Sequence, residues 1–203
     1  MFFKIKKFFF SLLLLVCIMP TYLYSNPKEF TIQSIPNSPE ELTQLRDQIA
    51  STPEGGALIF LIAMMGFSKS ETLGMQFLTI ALDQSNLGKG NTYKGFTPSS
   101  SIMFHVNRVK QSQAWDYLPF AYAQGTNPSN RYQTSPPYKV LISRNQFSGE
   151  ESSGQVKVFV HVYGVSPRPI TLKVNDKGIW KVKEASSMFV SVQPPPSKQS
   201  DDL

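Results

Sequence analysis

The hydrophobic pattern of this chain changes its period along the sequence, and this change constrains the fold more than any other feature. Before residue 112 the apolar residues recur at helical spacing, whereas after residue 138 they alternate with polar residues as in strands. The clearest strand carries four valines on one face: Val156, Val158, Val160 and Val162. Helices followed by strands that hairpins join predict an α+β fold, with N-terminal helices packed on a C-terminal antiparallel sheet.

Three helix-start signals divide the first half of the chain. Ser38-Pro39-Glu40-Glu41 and Ser68-Lys69-Ser70-Glu71 have the pattern of a capping box, and Thr52-Pro53-Glu54 places a proline in a first turn. We therefore expect helices over about 39–50, across the apolar run 57–67, from the capping box at 68–71 to about 85, and over 101–111. A loop rich in Gly and Asn at 86–100 precedes the last helix, and an irregular segment with four prolines, 112–138, follows it.

Enrichment in β-branched and aromatic residues predicts four strands in the last third of the chain, at 139–143, 155–163, 170–174 and 179–183. The turn Asn175-Asp176-Lys177-Gly178 joins the last two, because it supplies a turn-forming Asn and a glycine for a positive φ. A further short strand is expected at 188–192.

The N-terminus has the order of a secretory signal. Three lysines and no acid precede Phe8–Met19, an apolar stretch of twelve residues, which is shorter than the ~20 residues that cross a bilayer as a helix. We expect cleavage between Ser25 and Asn26. The alternatives are a lipoprotein acylated at Cys17, although Val16 is bulky for that signal, and an uncleaved anchor.

These segments predict a signal peptide at 1–25, an N-terminal linker at 26–36, one domain at 37–193, and a disordered, proline-containing tail at 194–203. The expected location of the mature protein is the periplasm or the cell exterior, and we expect no membrane span in the mature chain.

The charge balance argues against nucleic acid as a partner. The chain has 20 basic and 14 acidic residues, but three lysines leave with the signal, so the mature protein carries a net charge of +3. The charge is also uneven, since residues 26–90 carry −3 and residues 91–203 carry +6. Lys173, Lys181 and Lys183 would line either a solvated sheet face or an anion site.

Few residues have the chemistry of a catalytic or metal site. Cleavage removes Cys17, the one cysteine, and the two histidines have no metal-ligand spacing, so we expect neither a metal nor a cofactor. His105 or His161 would be the base of a hydrolase, but each also fits a structural place, His105 in a helix stripe and His161 on a strand face. The G-x-S-x-G nucleophile motif is not in the sequence.

Aromatic residues in the long loops are the better candidates for binding. Tyr93 and Phe96 lie in the Gly-rich loop, and Trp115 begins the irregular segment that also holds Tyr117, Tyr122 and Tyr132. Loops on a rigid scaffold usually carry binding residues, but such rings also fold back onto a core. Arg168, between two prolines, would cap loop carbonyls or bind a carboxylate or phosphate.

Several segments resemble a family of exported bacterial domains of unknown function. They are Ser166-Pro167-Arg168-Pro169-Ile170-Thr171-Leu172-Lys173, Asn175-Asp176-Lys177-Gly178-Ile179-Trp180-Lys181, Thr52-Pro53-Glu54-Gly55-Gly56-Ala57 and Tyr93-Lys94-Gly95-Phe96. The resemblance implies one domain in a cell-envelope or secreted protein, and it implies no activity.

The sequence therefore predicts an exported, non-enzymatic binding module whose partner is a protein or another envelope component. An exported hydrolase that uses His105 or His161 is the alternative. The expected binding residues are Tyr93, Phe96, Trp115 and Arg168.

Overall fold

The computed structural model describes residues 26–190 and 192–196. The predictions of a signal peptide, of cleavage after Ser25 and of an acylated Cys17 concern residues outside this part of the chain, as does most of the predicted tail. Asn26 is the first residue described.

Strands form one large and one small antiparallel sheet. The described residues form seven strands: β1 (Lys28–Ile32), β2 (Leu87–Tyr93), β3 (Phe96–Pro98), β4 (Tyr138–Ser143), β5 (Gln155–Val162), β6 (Val165–Val174) and β7 (Trp180–Glu184). The large sheet has the order β1-β4-β5-β6-β7, and β2 pairs only with β3. β1 and β7 are therefore the two edges of the large sheet.

Between residues 26 and 137, four α-helices precede the β4–β7 part of the sheet: α1 (Pro39–Ile49), α2 (Pro53–Gly66), α3 (Glu71–Ala81) and α4 (Ser100–Gln111). The predicted caps at Ser38 and Thr52 are confirmed, because both side chains accept backbone hydrogen bonds in the first turns of α1 and α2. The third cap differs from the prediction: Ser70 caps α3, whereas the Ser68 hydroxyl donates to Met65 O at the end of α2. The predicted α+β class is confirmed as well.

α2 is the central element of the core, and every residue in it except Glu54 is buried. It crosses the sheet very closely at Gly56, where a Cβ atom would lie 2.6 Å from both Leu172 Cδ2 and the carbonyl oxygen of Trp180. The valines at 156, 158 and 160 are buried, while the alternate side chains of β5 are half-buried or exposed. The helices thus cover one face of the sheet.

Three predicted segments differ from the structure. The expected linker at 26–36 contains β1, which pairs along its whole length with β4. The expected loop at 86–100 contains β2 and β3, which form a small hairpin. The expected strand at 188–192 is wrong, because residues Ser186–Phe189 form a 3-10 turn.

Candidate functional site

A polar cleft of about 640 Å³ opens at the end of the large sheet where β6 turns into β7. Four parts of the chain line it: the exit of α3 (Leu82, Asp83, Gln84 and Ser85), the small hairpin (Leu87 and Phe96), the end of β6 and its turn (residues 173–176), and Lys181 of β7. Helix, hairpin and sheet therefore meet at one site.

The exit of α3 is fixed to β7 by backbone pairing. Leu82 leaves the helix in extended conformation and forms a parallel bridge with Val182, and Asp83 N donates to Val182 O at 2.8 Å. The Asn86 side chain donates to the carbonyl oxygens of Val182 and Lys183 at 3.2 and 2.8 Å. These bonds hold one wall of the cleft rigidly against the sheet.

Lys181 is a half-buried residue of the cleft wall. Burial, with a smaller effect of the Arg46 charge, lowers the pKa of Lys181 to about 8, while Asp83 and Asp47 oppose this shift. The ammonium donates to the carbonyl oxygen of Ile80, and no other acceptor for it occurs among the described residues. Since an ammonium has three N–H donors, two remain for a ligand.

Asp83 is the buried carboxylate of the cleft. Its Oδ1 accepts hydrogen bonds from Ser85 N at 3.0 Å and Ser85 Oγ at 2.6 Å. Burial alone would raise the pKa of Asp83, but the hydrogen bonds from Ser85 and the charge of Lys173 outweigh burial and lower it. Asp83 is therefore ionised and engaged at neutral pH, and its lone pairs are partly used.

Two predicted binding residues lie in the β2–β3 hairpin, and one of them lines the cleft. Phe96 is 40% exposed at the cleft. Tyr93 is half-buried, and its hydroxyl lies 3.5 Å from Oγ1 of Thr43 on α1, while the Lys94 ammonium lies 5.2 Å from its ring centroid. The hairpin thus offers the cleft one aromatic ring.

Trp115 packs in the core, away from any loop surface. It is 9% exposed, stacks on Phe67 and meets the edge of Phe189. Its Nε1 is buried without a hydrogen-bond partner in the described part of the chain. This is the core-covering role that the sequence left open, and Tyr122 and Tyr132 share it, since both are buried.

Arg168 lies in β6 opposite Val160, apart from the hairpin. It is half-buried, and its Nε has no hydrogen-bond partner among the described residues. Burial raises the pKa of Tyr122, and the charge of Arg168 offsets part of that effect. Tyr93 pairs with Phe96 across the hairpin, but of the four predicted binding residues Phe96 alone lines the cleft.

The two histidines lie at different places. His105 stacks on Phe189, with ring centroids 5.5 Å apart, and burial, then the charge of Arg108, lowers the pKa of His105. His161 Nε2 and Ser143 Oγ lie 2.9 Å apart on the sheet face away from the helices. Burial lowers the pKa of His161, and in the described chain no carboxylate counteracts this shift.

Lys173 and Lys181 were predicted to lie on one basic face of the sheet, but the cleft that they line was not predicted. Lys183 does not line the cleft, and its Nζ donates to Gln155 Oε1 at 3.0 Å. Asp83 was missed entirely, since nothing in its sequence neighbourhood shows that α3 ends against β7.

Neither a membrane helix nor a metal cluster occurs in the described residues. Their helices are too short or too polar to cross a bilayer, and they contain no group of three or more His, Cys, Asp or Glu side chains that would hold a metal ion.

Comparison with known proteins gives a family for this chain. Residues 34–196 match the model described as Domain of unknown function (DUF6935). No curated protein and no solved structure matches the chain. The matched range includes the helices, the small hairpin, the cleft residues and β4–β7, and it begins just after β1.

Proposed function

Since the chain belongs to the family described as Domain of unknown function (DUF6935), we propose its function from its own geometry: an exported, non-enzymatic binding module. The ligand is a polar component of the cell envelope or exterior that carries a carboxylate or phosphate next to an apolar or ring surface. It occupies the cleft between Phe96 and Lys181.

The observation that carries this proposal is Lys181, a half-buried residue of the cleft wall whose ammonium bonds to one acceptor, Ile80 O, among the described residues and so keeps two donors. A buried cation is costly unless it is paired, and a ligand anion would supply the pair. Lys173 lies beside it in the cleft lining and strengthens the attraction for a negative group.

The remaining lining groups favour recognition of a polar ligand with donors of its own. Asp176 is an exposed acceptor in the turn, and Asn175 lines the same side, although its Oδ1 already accepts from Lys177 N and Ile179 N. Phe96 supplies an exposed aromatic face for the apolar part of the ligand. Asp83 accepts two hydrogen bonds from Ser85, which fixes the conformation of this wall of the cleft. Because Asp83 is ionised at neutral pH, it is a poor proton donor there.

The test is capture of ligand from the envelope fraction of the source cells by the immobilised protein. Phe96→Ala is compared with Phe104→Ala, because both are exposed phenylalanines and Phe104 lies on α4, away from the cleft lining. We expect Phe96→Ala to reduce the retained material about 10-fold, from loss of one aromatic contact of ~1–2 kcal/mol. Equal retention by the two variants contradicts the proposal.

Export is tested in the same preparation by the mass of the N-terminus. We propose cleavage between Ser25 and Asn26, which is supported by the charged and apolar pattern of residues 1–25. A chain that begins at Met1 contradicts cleavage, and a lipid-modified Cys17 establishes the anchored alternative.

A hydrolase is the second candidate, favoured by the 2.9 Å contact between Ser143 Oγ and His161 Nε2. A neutral His161 is competent to take the serine proton. This hypothesis predicts that His161→Asn and Ser143→Ala each abolish hydrolysis of a short-chain p-nitrophenyl ester without a lower melting temperature. No hydrolysis by the unmodified protein, or hydrolysis that persists in both variants, rules out this dyad as its source.

A further inference from the structure

A groove of about 600 Å³ runs between the outer edge of β1 and helix α1, at the opposite edge of the sheet from the cleft. We propose that this groove binds an extended peptide segment of a partner protein, without acidic side chains, as an added strand on β1. The proposal concerns a second site and goes beyond ligand binding in the cleft.

The two edges of the large sheet differ in backbone pairing. The outer edge of β7 is paired, because Leu82 bridges to Val182 and Asp83 N donates to Val182 O. Along the outer edge of β1 no strand of the described chain pairs, so β1 bonds to β4 alone. An open edge is a template for another strand, and natural proteins usually cover such edges.

The lining of the groove shows that this edge faces it. Three consecutive residues of β1, from Phe30 to Ile32, line the groove, although successive side chains of a strand point to opposite faces. A cavity that touches all three lies along the hydrogen-bonding edge of the strand. The backbone N–H and C=O groups of β1 that do not bond to β4 are thereby directed toward the groove.

The other wall and the floor of the groove contain apolar surface that the side chains of a bound peptide would contact. Glu41, Gln44, Leu45 and Gln48 of α1 line the wall with the 3–4–7 spacing of one helical face. Leu58 and Ile62 of α2 form the floor together with Ile49. Leu45 and Ile49 are only half-buried, so the groove retains apolar surface that a peptide would cover.

An extended backbone is the occupant that satisfies both features. It would bond to the free edge of β1, and its alternate side chains would enter the groove between β1 and α1. Because β1 has five residues, the added strand would have about five residues in contact. We expect apolar residues at alternate positions of the peptide.

Charge selects among such peptides. Glu41 is the one charged side chain among the described residues that line the groove, and residues 26–90, which contain β1, α1 and α2, carry a net charge of −3. The polar lining is otherwise neutral, with glutamines, serine and threonine. A peptide with lysine or arginine is attracted, and one with aspartate or glutamate is repelled.

The experiment is selection of random seven-residue peptides displayed on phage against the protein as its host processes it. We expect enriched sequences to alternate apolar residues, to contain Lys or Arg, and to lack Asp and Glu. Binding of one enriched synthetic peptide should slow hydrogen exchange of the β1 amides, because the new strand protects them.

Matched variants locate the peptide. Glu41→Gln keeps the capping box, since glutamine also serves there, and should weaken the peptide about 2- to 5-fold, as expected for one exposed ion pair. Gln48→Lys should weaken it to a similar extent by repulsion. Glu40→Gln, the neighbouring exposed carboxylate outside the groove lining, should leave the affinity unchanged.

Three results would overturn the proposal. They are the absence of any enriched peptide, affinities that the Glu41 and Gln48 variants leave unchanged, and a dimer in sedimentation equilibrium whose β1 amides are already protected, which would assign the edge to a second copy. Phe96→Ala should not affect the peptide, so failure here is separable from failure of the cleft.

Discussion

Trp115 lies flat on Phe67, with ring centroids 3.9 Å apart and ring planes only 9° apart. This contact fixes the start of the irregular segment 112–137 onto the C-terminal end of α2. It also explains how a long segment with little regular structure is ordered, since its large aromatic side chains are part of the core.

We expect Trp115→Ala to lower the free energy of unfolding by about 3–5 kcal/mol, because it leaves a large cavity beside Phe67 and Phe189. Trp115→Phe should cost less than about 1.5 kcal/mol, since it keeps a ring and removes a buried N–H that has no partner. Urea denaturation measures both. A stable Trp115→Ala variant that fails to capture ligand would instead make Trp115 a binding residue.

Lys181 should stabilise ligand binding at the expense of folding. We expect Lys181→Met to raise the free energy of unfolding at pH 7 by about 1–2 kcal/mol, since it removes a cation that burial disfavours, and to reduce ligand capture. Lys183→Met, on the exposed part of the same strand, should change stability by less than about 0.5 kcal/mol. A less stable Lys181→Met protein would show that the bond to Ile80 is the main role of the lysine.

Glu54 should make folding sensitive to acid. Arg144 donates to both of its oxygens, at 2.6 and 2.8 Å; burial alone would raise the pKa of Glu54, but these bonds outweigh it and lower the pKa below the ordinary value of 4.5. The stabilisation is therefore complete above pH 4.5 and is lost as the pH falls through the folded-state pKa.

Glu54→Gln should accordingly cost about 1–3 kcal/mol at pH 7, and the difference from the unmodified protein should shrink toward pH 3. Thermal unfolding at the two pH values checks this. Glu151→Gln is the control, because that partner of Arg144 is half exposed and its loss should cost under about 1 kcal/mol. A Glu54→Gln cost that is equal at both pH values would contradict the assignment.

The starts of α1 and α2 and the last hairpin were predictable because local interactions determine them. The cap at Ser38 bonds to Glu41 N, three residues away, and Asn175 Oδ1 accepts from Lys177 N within its own turn, where Gly178 has φ +74°. Such bonds depend on a few neighbouring residues, which the sequence displays directly.

β1 was missed because its partner is distant in the sequence. Glu29 pairs with Leu141, more than a hundred residues away, and five residues next to the signal-like segment carry little periodic signal. The cleft was missed for the same reason: Phe96, Asp83 and Lys181 come from three separate elements. Phe96 was identified only as an aromatic residue in a Gly-rich segment.

Close packing at Gly56 should be intolerant of a single methyl group. Alanine there would place Cβ 2.6 Å from the Trp180 carbonyl oxygen, a backbone atom that cannot rotate away. We expect Gly56→Ala to cost about 1–3 kcal/mol in the free energy of unfolding, despite the better helix propensity of alanine. Gly88→Ala has open space and should change it by less than about 0.5 kcal/mol. Equal effects in chemical denaturation would contradict this packing.

The most direct test of the account is an NMR titration of the Lys181 side chain, with and without the component that the protein captures from the envelope fraction. Without ligand, the pKa should be about 8. With ligand, an anionic group at the ammonium should raise the pKa of Lys181 toward the ordinary lysine value. A ligand that binds and leaves the pKa of Lys181 unchanged would contradict the proposal that this cleft is the binding site.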